Sequence, residues 1–538
     1  MRKNNIFVAL VCAGLLCSCT SIKQPDEVFS RPDYTEEDVR REEIKRIDAL
    51  REKDTVQALW RAALLGDEGT IEKCSDAVVV EYKDCLEKQN WYDALRLYDA
   101  LEKTGYAKLS SLAKNSKELT GLTEENVPGL KNPLITEEKR ATYVSGTATI
   151  WVDRGIKVER GMGFADRVIG SGFFISKDGY LVTNHHVIED LVNPKYEGYV
   201  RLYIKLSGDT DTRIPAKVIG WDPIVDLALL KAEVDAPYVF SLGSSEDLNV
   251  GDRIYAIGSP IGLESTLTSG IVSSLDRKLF TVGSVIQLDA AINSGNSGGP
   301  CIDENGAVQA IAFAGMLQYE GLNFAIPIEY LKAELPGLYH GGKYDHSWLG
   351  GFGHTKKELG KEAGLEVQYV MPGGSLSRAD VSEDDVIVAL NGKPVRTLED
   401  MQRIMFRCAA KSIATLKVVT PAGQEKDVLV YFATRPKNPG YRIYNSDVLA
   451  NSFIPLFGMK LVHASSTSRH KYSVLRIING SIADESGFSE HDPVEVMDVE
   501  FNTEKTTVYL KAYVKNSKKG YLERVVGMGA SLDSPYYF

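Results

Sequence analysis

The sequence predicts a multidomain chain: an N-terminal all-α segment, an all-β barrel or sandwich in the middle, and two small β-rich domains after it. Three observations carry this. Apolar residues recur at helical spacing before residue 125, the period turns strand-like from about 142, and one stretch near 373 is echoed near 479. With 538 residues the chain has room for roughly three or four domains of about 150 residues each. Its net charge of −11 argues against nucleic acid as a partner, because nucleic-acid binders concentrate Lys and Arg.

The first element is a targeting segment. Arg2 and Lys3 precede an apolar run from Ile6 to Leu16 that is too short to span a bilayer as a mature helix. The run ends in Leu16-Cys17-Ser18-Cys19, which resembles a bacterial lipoprotein signal. The resemblance implies a signal peptide over 1–18, lipidation of Cys19, and a polar tether over 19–40 on the periplasmic side of the cell envelope. The residue after Cys19 is Thr20, not the aspartate that retains lipoproteins at the inner membrane in some bacteria, so the outer membrane is favoured. An ordinary signal peptide cut elsewhere is the alternative. Cys74 and Cys85 could pair in an oxidising envelope or remain as two buried thiols; both readings stay open. No Cys or His spacing suits a metal, and no cofactor is expected.

The helical segment runs over 41–125. Ala49, Leu50, Val56, Leu59, Ala62 and Ala63 fall near 3.6-residue spacing, and no proline occurs from Tyr34 to Glu125. The stretch NWYDALRLYDALEKTGY (90–106) resembles one helix of a tetratricopeptide repeat; a single motif fits ordinary core packing equally. Pro128 and Pro133 mark a linker. The β domain follows over 140–335, as short segments such as GSGFFISKDGYLVTNHHVI, DLALLKAEV, RIYAIG and AVQAIAF joined by Gly- and Asp-rich turns.

The C-terminal part carries the internal echo: GGSLSRADVSEDDVIVAL (373–390) aligns with NGSIADESGFSEHDPVEVM (479–497). Each copy follows a glycine set among apolar residues, Leu349-Gly350-Gly351-Phe352 and Leu456-Phe457-Gly458-Met459. The first copy also has NGKPV (391–395) and a helix TLEDMQRIM (397–405). The layout resembles two PDZ domains, one clear over 346–433 and one divergent over 440–538. The resemblance implies that N–H groups of Leu349, Gly350, Gly351 and Phe352 receive a peptide carboxylate while the peptide adds a strand to a sheet edge.

The chemistry sits in the β domain. A serine hydroxyl needs a neutral imidazole to take its proton, and that imidazole needs a carboxylate to fix its tautomer. TNHHVI (183–188), DPIVDLALLK (222–231) and GNSGGP (295–300) supply the three residue types in the order His, Asp, Ser. Their order and the surrounding words, VGDRIYAIGSPIGLESTLTSGIVSSL (250–275) and GLNFAIPI (321–328), are similar to those of HtrA (DegP-like) serine proteases. That family joins a chymotrypsin-like all-β double barrel to PDZ domains.

The resemblance assigns base, acid and nucleophile to His186, Asp226 and Ser297, with an oxyanion hole from the N–H groups of Gly295 and Ser297. Ile292 falls where trypsin-like folds place the base of the specificity pocket, with Phe313 on the opposite wall. The absence of an acid there predicts cleavage after small apolar residues. His185 is expected to be a bystander, on the view that adjacent strand residues face opposite ways. Asp222, before Pro223, is expected to shape a turn. Activity is expected to rise through mildly acidic pH as His186 loses its proton.

The function implied is an envelope serine endopeptidase acting on unfolded or mislocalised proteins and gripping C-terminal peptides. A homotrimer or multiple of three follows by resemblance, although the usual trimerising stretch is not recognisable. Two rival readings are a non-proteolytic chaperone or PDZ scaffold, and a regulated protease with one dedicated envelope substrate.

Overall fold

The structure, a computed structural model, describes residues 25–538 except 26, 132–139, 197, 260–265, 280–281, 294, 316–321, 465–469, 517–519 and 521. The signal segment and Cys19 lie outside the described residues. Among the described residues no helix is long and apolar enough to cross a membrane.

Five helices open the chain: α1 (Glu37–Arg51), α2 (Thr55–Leu65), α3 (Glu68–Glu87), α4 (Trp91–Lys103) and α5 (Ser116–Asn126). Their ends are written in the sequence. Asp54, Asp67 and Asn90 each accept a hydrogen bond from the backbone N–H three residues on, and Asn115 with Glu118 forms a reciprocal capping box. Cys74 and Cys85 both lie on α3, eleven positions apart, which at 1.5 Å per residue separates them by about 16 Å along the axis. They cannot pair, and both are buried free thiols.

The helical core does not close on itself. Trp60 donates its indole N–H to Leu429 O at 2.9 Å and stacks on Tyr431 with ring centroids 5.7 Å apart. Ile413 and Tyr431 of the first PDZ domain belong to the same buried cluster as Ile47, Leu59, Val78 and Leu97.

After the short helix α6 (Arg140–Ser145) the chain builds two barrels. The first contains β1 (Thr147–Glu159), β2 (Met162–Phe174), β3 (Tyr180–Thr183), β4 (Arg201–Leu206), β5 (Asp209–Asp222) and β6 (Leu227–Ala232), with helix α7 (His185–Val192) after β3. Its strand order is β5-β4-β1-β2-β3-β6, closed by pairing of β5 with β6. The second contains β7 (Arg253–Gly258), β8 (Thr266–Arg277), β9 (Val285–Leu288), β10 (Pro300–Ile302), β11 (Val308–Gly315) and β12 (Asn323–Pro327), closed in the order β10-β11-β12-β9-β8-β7. Ile150, Phe174, Leu181 and Leu230 fill the first barrel; Ile254, Val272, Ile286 and Ala310 fill the second. A larger cluster including Phe173, Leu229, Tyr255, Ile257 and Ile311 joins the two barrels to helix α8 (Ile328–His340). The cleft between the barrels is where the three sequence words converge.

The first PDZ domain has strands Gly351–Glu358, Lys361–Val370, Val386–Leu390, Ser412–Val419 and Glu425–Thr434, with a helix Leu398–Phe406 started by a Thr397/Asp400 capping box. The divergent copy is a five-stranded antiparallel sheet, Met459–His463 through Leu522–Ser531, under helix Leu449–Phe457. In that copy Leu456 and Phe457 are buried at the helix end and Gly458 caps it at φ 79°. The apolar-glycine word therefore terminates a helix here.

Candidate active site

His186 and Asp226 form the fixed half of the site. Asp226 sits at the β5–β6 turn with φ 61°, a left-handed conformation uncommon for a residue with a side chain. Four hydrogen bonds hold it there. Its backbone carbonyl accepts from His185 N (3.2 Å) and Asn184 Nδ2 (2.9 Å). Its carboxylate accepts from His186 N at 2.7 Å and meets His186 Nδ1 at 2.6 Å. One carboxylate thus fixes both the position of the residue and the direction of its ring. Burial pushes the His186 pKa down, but the hydrogen bond to Asp226 and the Asp226 charge outweigh that and leave it raised above 6.5.

His185 and His186 lie on helix α7, not on a strand, so the expected reason for separating them does not apply. His185 is nevertheless apart: its backbone N–H serves Asp226, and burial lowers its pKa against the pull of Asp226.

Ser297 lies on the facing loop. Its hydroxyl donates to Phe313 O at 3.3 Å, and the Phe313 ring stands edge-on to the His186 ring with centroids 6.4 Å apart. Among the described residues that carbonyl is the hydroxyl's one hydrogen-bond partner, so engaging His186 requires the hydroxyl to leave Phe313 O. Nucleophile–base hydrogen bonds are often long or open without substrate. The N–H groups of Gly295 and Ser297 donate to no acceptor among the described residues.

Ser171, on β2, clamps this loop and carried no signal in the sequence. Its N–H donates to Ser297 O at 2.8 Å and its hydroxyl to Gly295 O at 2.6 Å, while Ser259 N donates to the same hydroxyl at 2.9 Å. Gly298 and Gly299 make room for the protein's own backbone. A Cβ on Gly298, at φ +86°, would lie 2.3 Å from Ser171 O, and one on Gly299 would lie 2.1 Å from Ile257 O. These glycines let the Ser297 loop press against the protein's own barrels.

A trypsin-like peptidase domain family matches residues 170–311, which contain all three of these side chains. A PDZ domain family matches 345–419, a TP0546 family PDZ domain matches 440–532, and a domain of unknown function (DUF8517) matches 38–123. Over 348 residues the chain is 33% identical to a probable periplasmic serine endoprotease DegP-like of Pseudomonas fluorescens, covering 60% of this chain and 71% of that protein. The chain belongs to the DegP-like serine endoprotease family. Similarly named proteins of Pseudomonas fulva and Hahella chejuensis are 36% and 37% identical over 51% and 50% of this chain, which spans 57% of each relative's length. The solved HtrA-type protease AlgW with decapeptide is 25% identical with a TM-score of 0.46, over 56% of this chain and 99% of that one. A serine endoprotease from Yersinia pestis is 24% identical with a TM-score of 0.41, over 56% of this chain and all of that one.

In this DegP-like chain Ile292 is 3% exposed and belongs to the buried cluster of the second barrel with Ile254, Ile286 and Ala312. Phe313 is partly buried and offers its carbonyl to Ser297. Around Leu349-Gly350-Gly351-Phe352, the N–H groups of Gly350 and Gly351 both point at Phe538 O, at 3.1 and 3.0 Å.

Asp222 does shape its turn, accepting from Ile224 N at 2.8 Å, but it is also wholly buried against His346 Nε2 at 2.7 Å. Glu334 of α8 completes the cluster, and the ligand atoms of the three residues lie within 4.8 Å of one another. As an acceptor alone Glu334 would leave both oxygens unpaired. Burial, then the Asp222 charge, raises its pKa well above the ordinary range. Asp222 and Glu334 of the protease domain thus meet His346 of the PDZ domain in one buried cluster.

Proposed function

We propose that this chain is an envelope serine endopeptidase that hydrolyses peptide bonds of unfolded or mislocalised proteins through an acyl-enzyme. The observation that carries the reading is the Asp226 carboxylate on His186 Nδ1 at 2.6 Å, in the cleft faced by the Ser297 loop. Ser297 Oγ adds to the peptide carbonyl as His186 Nε2 takes its proton. His186 then returns that proton to the leaving amine, and a water activated by the same imidazole releases the acyl group. Asp226 stabilises the imidazolium without accepting its proton. The N–H groups of Gly295 and Ser297, without acceptors among the described residues, receive the oxyanion; one such donor is worth about 10²–10³ in rate. Ile292 and Phe313 line the residue pocket, which suits small apolar side chains.

Lipidation of Cys19 would hold the enzyme at the membrane, with the outer membrane favoured. The PDZ domains would present C-terminal peptides, and a trimer or multiple of three is the assembly the family resemblance supports. Two readouts test the enzyme: digestion of unfolded casein, and labelling by a fluorophosphonate that is lost in Ser297→Ala. Equal digestion by both proteins, digestion by neither, or no label would overturn the reading. Transfer of Cys19→Ser from the membrane fraction to the soluble one tests the anchor.

A further inference from the structure

The last residues of the sequence lie in the first PDZ groove. Phe352 bridges Tyr537 in antiparallel register, Gly353 N donates to Tyr536 O at 3.2 Å, and Phe538 N donates to Gly351 O at 3.1 Å. The segment therefore extends the sheet whose edge is Gly351–Glu358. At its end two N–H groups converge on Phe538 O, an arrangement that favours a negatively charged oxygen.

Side chains complete the fit. The Phe538 ring is 2% exposed and joins the core cluster of Leu349, Leu365, Leu376, Met401 and Met405. A Cβ on Gly351 would lie 2.6 Å from that ring, so the residue next to the carboxylate position must be glycine for an aromatic ring to enter. Tyr536 stacks on His354 at 4.1 Å, and Tyr537 donates its hydroxyl to Pro455 O at 3.1 Å. Gln402, on the domain's helix, donates to Pro535 O. Arg435, 5% exposed, grips Asp533 with two hydrogen bonds of 2.6 and 3.1 Å just before the segment.

We propose that residues 534–538 are a resident ligand of this groove, so that it takes peptides ending in a free carboxylate after an aromatic residue only by displacing them. The proposal rests on the peptide-binding reading of the first PDZ domain. It adds the class of peptide end the groove selects, and a built-in competitor that keeps weak ends out. A tethered ligand acts at an effective concentration on the order of mM, so a tail of about 50 µM intrinsic affinity weakens any competing peptide about twentyfold.

The test uses a fluorescein-labelled Asp-Ser-Pro-Tyr-Tyr-Phe peptide and the Ser297→Ala chain, read by anisotropy. Removing residues 535–538 should tighten binding at least tenfold, and Phe538→Ser, which keeps the chain length, should do so in the same direction. Equal binding to parent and variants would overturn the resident-ligand proposal while leaving peptide binding intact. Binding to none of them would overturn the peptide-binding reading, and the proposal with it. On the unaltered Ser297→Ala chain, carboxypeptidase A should release Phe538 at least tenfold more slowly than from the free peptide. Release at the free-peptide rate would overturn the proposal without any variant having to fold.

Discussion

Asp226→Asn isolates what the carboxylate does for His186. In the structure one oxygen accepts from His186 N at 2.7 Å and the other meets Nδ1 at 2.6 Å. An amide keeps its own oxygen on the backbone N–H and turns its NH₂ toward Nδ1. Nδ1 must then accept, the ring proton moves to Nε2, and the imidazole can no longer take the Ser297 proton. A wrong tautomer of this kind costs about 10⁴ in kcat, or about 5.4 kcal/mol at about 1.36 kcal/mol per tenfold.

The pH profile gives a second, independent reading. Neutral His186 is the active form and its pKa is raised above 6.5, so the acid limb of the parent enzyme lies above 6.5. With the Asp226 charge and hydrogen bond gone, burial remains and lowers the pKa, so the limb of the residual activity moves to lower pH. The assay is kcat and kcat/KM on an unfolded casein or a peptide substrate from pH 5 to 9. A loss of less than tenfold, or a limb that stays in place, would refute the assignment of Asp226 to His186.

Four more outcomes are expected. Ser171→Ala, at a fully buried position, leaves Gly295 O and Ser259 N without their hydroxyl partner, each worth about 1–3 kcal/mol. Its kcat and fluorophosphonate labelling rate should fall together while the His186 acid limb stays put; a shifted limb would contradict a role confined to the Ser297 loop. Because burial raises the Glu334 pKa in the folded chain, ionisation of the unfolded chain above about pH 4.5 erodes stability as pH rises. Glu334→Gln should therefore match or exceed the parent at pH 7 in thermal melting, with the difference shrinking below pH 4.5. Asp222→Ala, which strips His346 of a buried partner, should cost about 3–5 kcal/mol; a destabilising Glu334→Gln would mean that Glu334 is charged. Burial raises the thiols of Cys74, Cys85 and Cys408 to about 11 and that of Cys301 to about 12, so all four should resist Ellman's reagent until the protein is denatured.

Much of the molecule was legible locally. Helical and strand periods, capping residues such as Asp54 and Asn115, and the ordered His, Asp and Ser words depend on neighbours within a few positions, and sequence records those directly. Ser171 was not legible, because a serine in a strand carries no mark of the loop it will hold. Nor was Glu334, which reads as an ordinary solvated helix acid until Asp222 and His346 enclose it. Nor was the reason for Gly298 and Gly299, since the Ser171 and Ile257 carbonyls that approach them belong to other strands.

By itself, then, the order of residues determined which groups can do the chemistry and which segments are helix or strand, since propensity, capping and spacing act over short range. Tertiary structure alone decided how those parts face one another. It set Trp60 into the first PDZ domain, gathered three buried titratable side chains, and laid Tyr536, Tyr537 and Phe538 along a distant sheet edge. Such contacts join residues more than a hundred positions apart, and only the packing of whole domains brings them together.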